Sequence, residues 1–288
     1  FWLNEGWTTY AEQRITEILE GKDAVDLNAV YDEKRTLEII DLVGKDSHLT
    51  RLKLTGEERN PHTMAMQLAY TKGCFFIREL EYAVGRERFD PFIQKYMKNF
   101  QFQSLTTEGF LEFLNQHLPD VFDKVNVHDW IYKPGMPESW HKPHSHLFDE
   151  VEKALVDFAQ GKLPTQDQVK DWHRYQILSF LQGLPEQMSV EQCQQLEDVF
   201  ELEKRNDDHF YAYFYAICIR SGYKDVMPRV EKFFEEIGRM LYLFPVAHAL
   251  ITTDWTREQA IALFARVRDS QHPVTVAGLD RLAKHVES

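Results

Sequence analysis

Phe1-Trp2-Leu3-Asn4-Glu5-Gly6-Trp7-Thr8-Thr9-Tyr10-Ala11-Glu12 opens the chain and runs through Gln13-Arg14-Ile15-Thr16-Glu17-Ile18-Leu19-Glu20 to Gly21. Trp7, Tyr10, Ala11, Ile15, Ile18 and Leu19 recur at the spacing of one helical stripe. Gly21 is a helix-stop residue. The same pattern continues downstream. A second helix is expected over Ala29–Leu42, closed by Gly44, and Leu49–Pro61 lacks a period and reads as a loop. Met66, Ala69, Tyr70, Gly73, Phe76, Ile77, Leu80 and Ala83 predict one strong helix over Met64–Val84, stopped by Gly85. Phe92–Phe100 and Thr107–Leu118 complete the first part, with Thr106 or Thr107 as N-cap and Glu108 at the positive end of the dipole.

Lys133-Pro134-Gly135-Met136-Pro137 cannot continue a helix. The next stretch, to His146, holds another Pro and three His, so the domain boundary is expected there, between 1–140 and 147–288. Beyond it, Leu147–Gln160, Gln166–Leu181, Val190–Leu202, Phe210–Ser221, Asp225–Leu243, Thr256–Asp269 and Val274–Val286 read as helices with short connections. The expected fold is all-α, its second part an α-solenoid of armadillo-like type or a bundle.

Composition narrows the partners. The 288 residues leave room for about two domains, and the net charge is −13. Nucleic acid and anionic membranes select a basic face, so neither is expected as the partner. Cys74, Cys193 and Cys218 are odd in number and widely spaced, which suits buried thiols in a reducing compartment rather than a disulfide framework. No signal peptide is visible. The longest apolar run, Phe210 to Ile219, is ten residues, against ~18 or more for a membrane span. A soluble, cytoplasmic chain is expected. Because it opens on Phe1 rather than Met, inside a continuous pattern, its true N-terminus is expected upstream.

Residues 1–12 resemble the third-ligand helix of the gluzincin zinc aminopeptidases. In that family a helical H-E-x-x-H supplies two His ligands and a general-base Glu. A following helix supplies the last ligand, the Glu of Asn-Glu-Gly. The resemblance implies that Glu5 is the zinc carboxylate. Glu12 lies two turns along the same face and would hold the free N–H of a His ligand. A Glu taken alone would simply favour a helix N-terminus, but here the aromatic and polar positions agree across the whole stretch. No H-E-x-x-H occurs in the 288 residues. These residues therefore carry one of three ligands and no general base, and alone they are expected to bind no stoichiometric zinc.

Asn60-Pro61-His62-Thr63-Met64-Ala65-Met66-Gln67-Leu68-Ala69-Tyr70-Thr71-Lys72-Gly73 contains the Tyr-x-Lys-Gly of the same family. The resemblance makes Tyr70 the catalytic donor to the oxyanion formed when zinc-bound hydroxide attacks a peptide carbonyl. Trp130-Ile131-Tyr132-Lys133-Pro134-Gly135-Met136-Pro137 and Gly238-Arg239-Met240 are similar to the leukotriene A(4) hydrolase branch. There the Arg binds a peptide carboxylate, so Arg239 is the substrate-binding candidate, with Phe1, Pro61 and Leu68 placed along the first side-chain pocket.

Three departures stand out: His62 replaces an acidic residue, Ala65 a tyrosine and Leu241 a lysine. The first two disfavour epoxide hydrolysis, and the third weakens carboxylate binding. The resemblance thus implies a zinc aminopeptidase acting on peptides. The alternatives are a bifunctional epoxide hydrolase/aminopeptidase and a non-catalytic helical interaction module. His141, His144 and His146 sit in a Pro-containing linker, poor support for a metal site. Phe210-Tyr211-Ala212-Tyr213-Phe214-Tyr215 reads as a buried helix rather than a base-stacking platform.

Overall fold

The computed structural model describes residues 1–55 and 64–284, and among them every regular element is helical. They fall into two compact units, Phe1–Ser145 and His146–Ser288.

The first unit begins with α1 (Trp2–Glu20) and α2 (Lys22–Val43), joined through Gly21 at φ 91°. The pair α3 (Thr71–Val84) and α4 (Arg86–Phe100) is joined the same way through Gly85 at φ 76°. One residue makes each connection because glycine adopts positive φ without a Cβ clash. Next come α5 (Thr107–His117), α6 (Val121–Lys124) and α7 (Val127–Tyr132). Thr106 caps α5, its Oγ1 accepting the Gly109 N–H at 3.1 Å.

The core of this unit is aromatic. Trp7 stacks on Tyr96 at 5.1 Å, while Trp2 tilts onto Phe76 at 5.7 Å and meets the edge of Phe110 at 5.9 Å. The Trp2 indole N–H, which burial would otherwise strand, donates to Thr107 Oγ1 at 3.0 Å. The α1 stripe is only half used. Trp7 and Tyr10 are buried, but Ile15, Ile18 and Leu19 remain 57%, 84% and 76% exposed.

The second unit holds α8 (His146–Ala159), α9 (Gln166–Val169), α10 (Arg174–Gly183), α11 (Val190–Phe200), α12 (Asp208–Arg220), α13 (Met227–Glu236), α14 (Met240–Thr252), α15 (Arg257–Val267) and α16 (Pro273–Lys284). Helices α8, α10, α12, α14 and α16 pack each on the next as one row. The pairs α9–α11 and α13–α15 pack alongside. Phe210, Ala212, Phe214 and Tyr215 are buried within α12, and Cys74, Cys193 and Cys218 are buried and unbridged.

Three expected helices are interrupted. Met64–Ala69 is a 3-10 segment, and the α-helix starts only after Tyr70. The stretch 166–181 breaks between α9 and α10, where His173 and Gln176 form a capping box. Asp225–Leu243 breaks at Ile237–Arg239, after which α14 runs on past Leu243 to Thr252 with Pro245 inside it. In each case apolar residues continue across the break, so the periodicity hides it.

Candidate active site

The two family motifs meet through their glycines. A Cβ on Gly6 would lie 2.9 Å from the Gly73 carbonyl carbon and 3.1 Å from its Cα. Helices α1 and α3 therefore touch backbone to backbone, one residue after Glu5 and three after Tyr70. Glu5 is half-buried in the first turn of α1. Tyr70 is half-buried at the N-terminus of α3, its carbonyl accepting the Cys74 N–H at 2.9 Å. Burial raises the Tyr70 phenol above its ordinary pKa, and the charge and hydrogen bonding of the neighbouring Glu5 carboxylate raise it further. The hydroxyl thus stays protonated, with its O–H turned to the Glu5 carboxylate. The ring of Phe1 meets Tyr70 edge-on at 6.2 Å.

Lys72 holds this corner from behind. Its side chain is fully buried, and Nζ donates to the Thr50 carbonyl at 2.9 Å and the Lys133 carbonyl at 3.2 Å. Gly135 N–H donates to Thr50 Oγ1 at 2.8 Å, joining the same two segments again. Burial pushes the Lys72 ammonium down to about 7.

Phe1 lies between two openings. A cavity of about 290 Å³ is lined by Phe1, Leu52, Leu54, Ala65, Met66 and Ala69 among others. An open groove of about 1010 Å³ follows the outer face of α1 past Thr8, Ala11, Glu12 and Ile15. Glu12 is exposed in that groove. Sequence reading missed its neighbour Asp32, on α2. Burial pushes the Asp32 carboxyl up to about 7, and the Glu12 charge adds to the rise. No spacing links residues 12 and 32, so only the packing of α2 against α1 reveals the pair. Leu68, expected along the pocket, is instead fully buried beside Ile39 and Ile40. Pro61 and His62 lie outside the described residues.

Arg239 belongs to the second unit. It is exposed at the N-cap of α14, not inside a helix. The joint before it is pinned by side chains. Gln271 Nε2 donates to the Phe234 and Ile237 carbonyls at 2.9 and 3.1 Å, and Thr275 Oγ1 to the Gly238 carbonyl at 3.1 Å.

His141 is engaged elsewhere than in a metal cluster. Its backbone N–H donates to Glu79 at 2.7 Å, and its Nδ1 lies 3.0 Å from both carboxylate oxygens. Among the described residues no three His, Cys, Asp or Glu side chains converge to hold a metal ion. A catalytic zinc site takes three protein ligands. The described donors do not make such a site, and Glu5 can supply only one of its arms.

Two family models match the chain: "Peptidase family M1 domain" over residues 1–130 and "Leukotriene A4 hydrolase, C-terminal" over residues 172–282. Leucine aminopeptidase 2 of Neurospora crassa is 31% identical over 295 residues, covering 95% of this chain and 43% of the relative. Leukotriene A-4 hydrolase of Xenopus laevis is 29% identical over 286 residues, covering 96% and 47%. The structure of yeast LTA4 hydrolase in complex with bestatin aligns with a TM-score of 0.82 at 26% identity, over 99% of this chain and 50% of that one. The all-α fold and the two motifs sit in a chain that belongs to the peptidase M1 family. The match over residues 172–282 puts it in the leukotriene A4 hydrolase/aminopeptidase branch. The chain spans about half the length of these relatives.

Proposed function

We propose that these residues work as the C-terminal portion of a zinc aminopeptidase that releases N-terminal residues from peptides. The observation that carries this reading is the pairing of Glu5 with Tyr70 across the Gly6–Gly73 contact, with the Phe1 ring against Tyr70. Zinc, when bound, supplies polarisation of a carbonyl and activation of a water. Glu5 would contribute one carboxylate to its coordination, and Glu12 would orient an imidazole by accepting its free N–H. Tyr70 keeps its proton and donates a hydrogen bond to the developing oxyanion. Phe1 and the cavity beside it take the first side chain, a role the family pattern gives Pro61 as well, and Arg239 takes the far carboxylate of a short peptide. The packing of α8, α10, α12, α14 and α16 in one row, with pairs of helices alongside, supports a helical-repeat, armadillo-like second domain. The unbridged cysteines support a reducing, cytoplasmic setting, and no helix among the described residues is long and apolar enough to cross a membrane. The relative named leukotriene A-4 hydrolase favours added epoxide hydrolysis, but Ala65 brings no hydroxyl to the cavity wall.

The test is Tyr70→Phe in the full-length protein. We expect kcat to fall roughly 10²–10³-fold, the usual effect of deleting one oxyanion donor, with KM and zinc content unchanged. A near-normal kcat removes Tyr70 from the reaction.

A further inference from the structure

Arg239 shares its surroundings with a second polar group. Its guanidinium carbon stands 5.2 Å from the centroid of the Tyr242 ring, and Nη1 donates to the Tyr242 hydroxyl at 3.4 Å. His209 packs against the same ring at 5.4 Å. Behind His209, Arg174 lies with Nη2 3.4 Å from its Nδ1. Arg174 is already neutralised, since Nε and Nη2 reach the Asp207 carboxylate at 2.5 and 3.2 Å. Arg239 differs: among the described residues no carboxylate pairs with it.

A hydroxyl that accepts from a guanidinium turns its lone pairs toward the cation, and its own O–H is left to donate elsewhere. The aromatic face also restrains the guanidinium, so less freedom is lost when an anion binds. The residues between the two, Met240 and Leu241, bring no donor. We propose that Tyr242 is the second donor of a two-point carboxylate site, with Arg239 as its cation, that selects short peptides with a free C-terminal carboxylate. This rests on the reading of Arg239 given above and adds a residue that reading does not contain. One carboxylate oxygen meets the free edge of the guanidinium, the other the Tyr242 O–H. No bond is made or broken, so the gain is in binding and appears in KM.

The test uses the full-length protein and one tripeptide as its free acid and as its C-terminal amide. Tyr242→Phe keeps the ring face and removes only the hydroxyl. KM for the free acid should rise about tenfold, the low end for a hydrogen bond to a charged group, while kcat, the amide and the thermal midpoint stay put. Equal change on acid and amide, or no change on either, overturns the inference. Arg239→Ala in the same assay separates the two levels. If it loses no preference for the acid, the carboxylate reading fails and Tyr242 with it. If it loses that preference and Tyr242→Phe does not, only the Tyr242 assignment fails. Should Tyr242→Phe fold poorly, Tyr242→His retains a ring and an N–H donor and must keep part of the preference. Its complete loss in a folded Tyr242→His also counts against the assignment.

Discussion

Tyr70 and Arg239 are held by opposite means. Around Tyr70 the backbone is fixed. Gly6 and Gly73 touch, a buried Lys72 ties two carbonyls, and Trp2 and Phe76 fill the space behind. Around Arg239 the backbone joint is pinned by Gln271 and Thr275, but the side chain is exposed and restrained by one aromatic ring. A group that must meet a transition state needs placement within fractions of an ångström, which packed backbone provides. A group that recognises a substrate's far end tolerates a softer hold, because rotation of a side chain can follow peptides of different length. The two surroundings therefore predict different responses to substitution.

The largest effect is expected at Lys72. Lys72→Met leaves the Thr50 and Lys133 carbonyls without their donor, at roughly 1–3 kcal/mol for each group left unsatisfied. It should also change the pH dependence of stability. Folded, Lys72 titrates near about 7, and unfolded near ~10.4. Between those values the unfolded chain holds the extra proton, so stability from this group rises with pH. It is complete above the unfolded pKa and lost as pH falls through the folded one. Urea midpoints of chain and variant at pH 6.5, 8 and 9.5 should diverge as pH rises. Parallel curves would mean that the amine is not held out of water.

Next in size is the glycine contact. Alanine in a helix is normally better than glycine by about 1 kcal/mol. Gly6→Ala should nonetheless destabilise, by about 1–3 kcal/mol, since the new methyl meets Gly73 backbone that cannot rotate away. Gly278→Ala, on α16 in the second unit, is the control. Its Cβ would stand 3.4 Å from Met240 Sδ, the flexible end of a side chain. That variant should be neutral or gain stability. Thermal midpoints of both, measured side by side, decide whether rigidity is special to the Tyr70 corner. Equal changes would erase the contrast.

How much of this was legible beforehand follows the same division. Glu5 and Tyr70 stand out as candidates because their neighbours form ordered motifs, and the all-α fold was readable because apolar residues recur at helical spacing. The meaning of the motif glycines was hidden, since a contact between Gly6 and Gly73 leaves no trace in either local pattern. Lys72 looks like a solvated charge two residues from a tyrosine, and only the fold shows that it is buried. The split at Ile237–Arg239 was missed because the carbonyls there are satisfied by Gln271 and Thr275, far along the chain, rather than by a local cap. Leu68 was misread as pocket because an apolar residue inside a motif can face either the cavity or the core.

The smallest and most selective effect is expected from Arg239→Lys in the full-length protein. Lysine keeps the positive charge but loses the planar fork and stacks less well on Tyr242. The site is exposed, so its cation–π contact is worth only about 0.5–1 kcal/mol, and the thermal midpoint should barely move. Turnover of a free-acid tripeptide should fall several-fold in kcat/KM, less than with Arg239→Ala, while the C-terminal amide is cleaved as before. A charge held in place only by a ring should act through attraction at a distance, so raising the salt concentration should shrink the remaining preference of the Lys variant faster than that of the parent. If lysine substitutes without loss, recognition there is a matter of charge alone, and the ring and hydroxyl of Tyr242 contribute nothing. If lysine is as poor as alanine, the fork geometry dominates, and the hold on Arg239 is as exacting as the one on Tyr70.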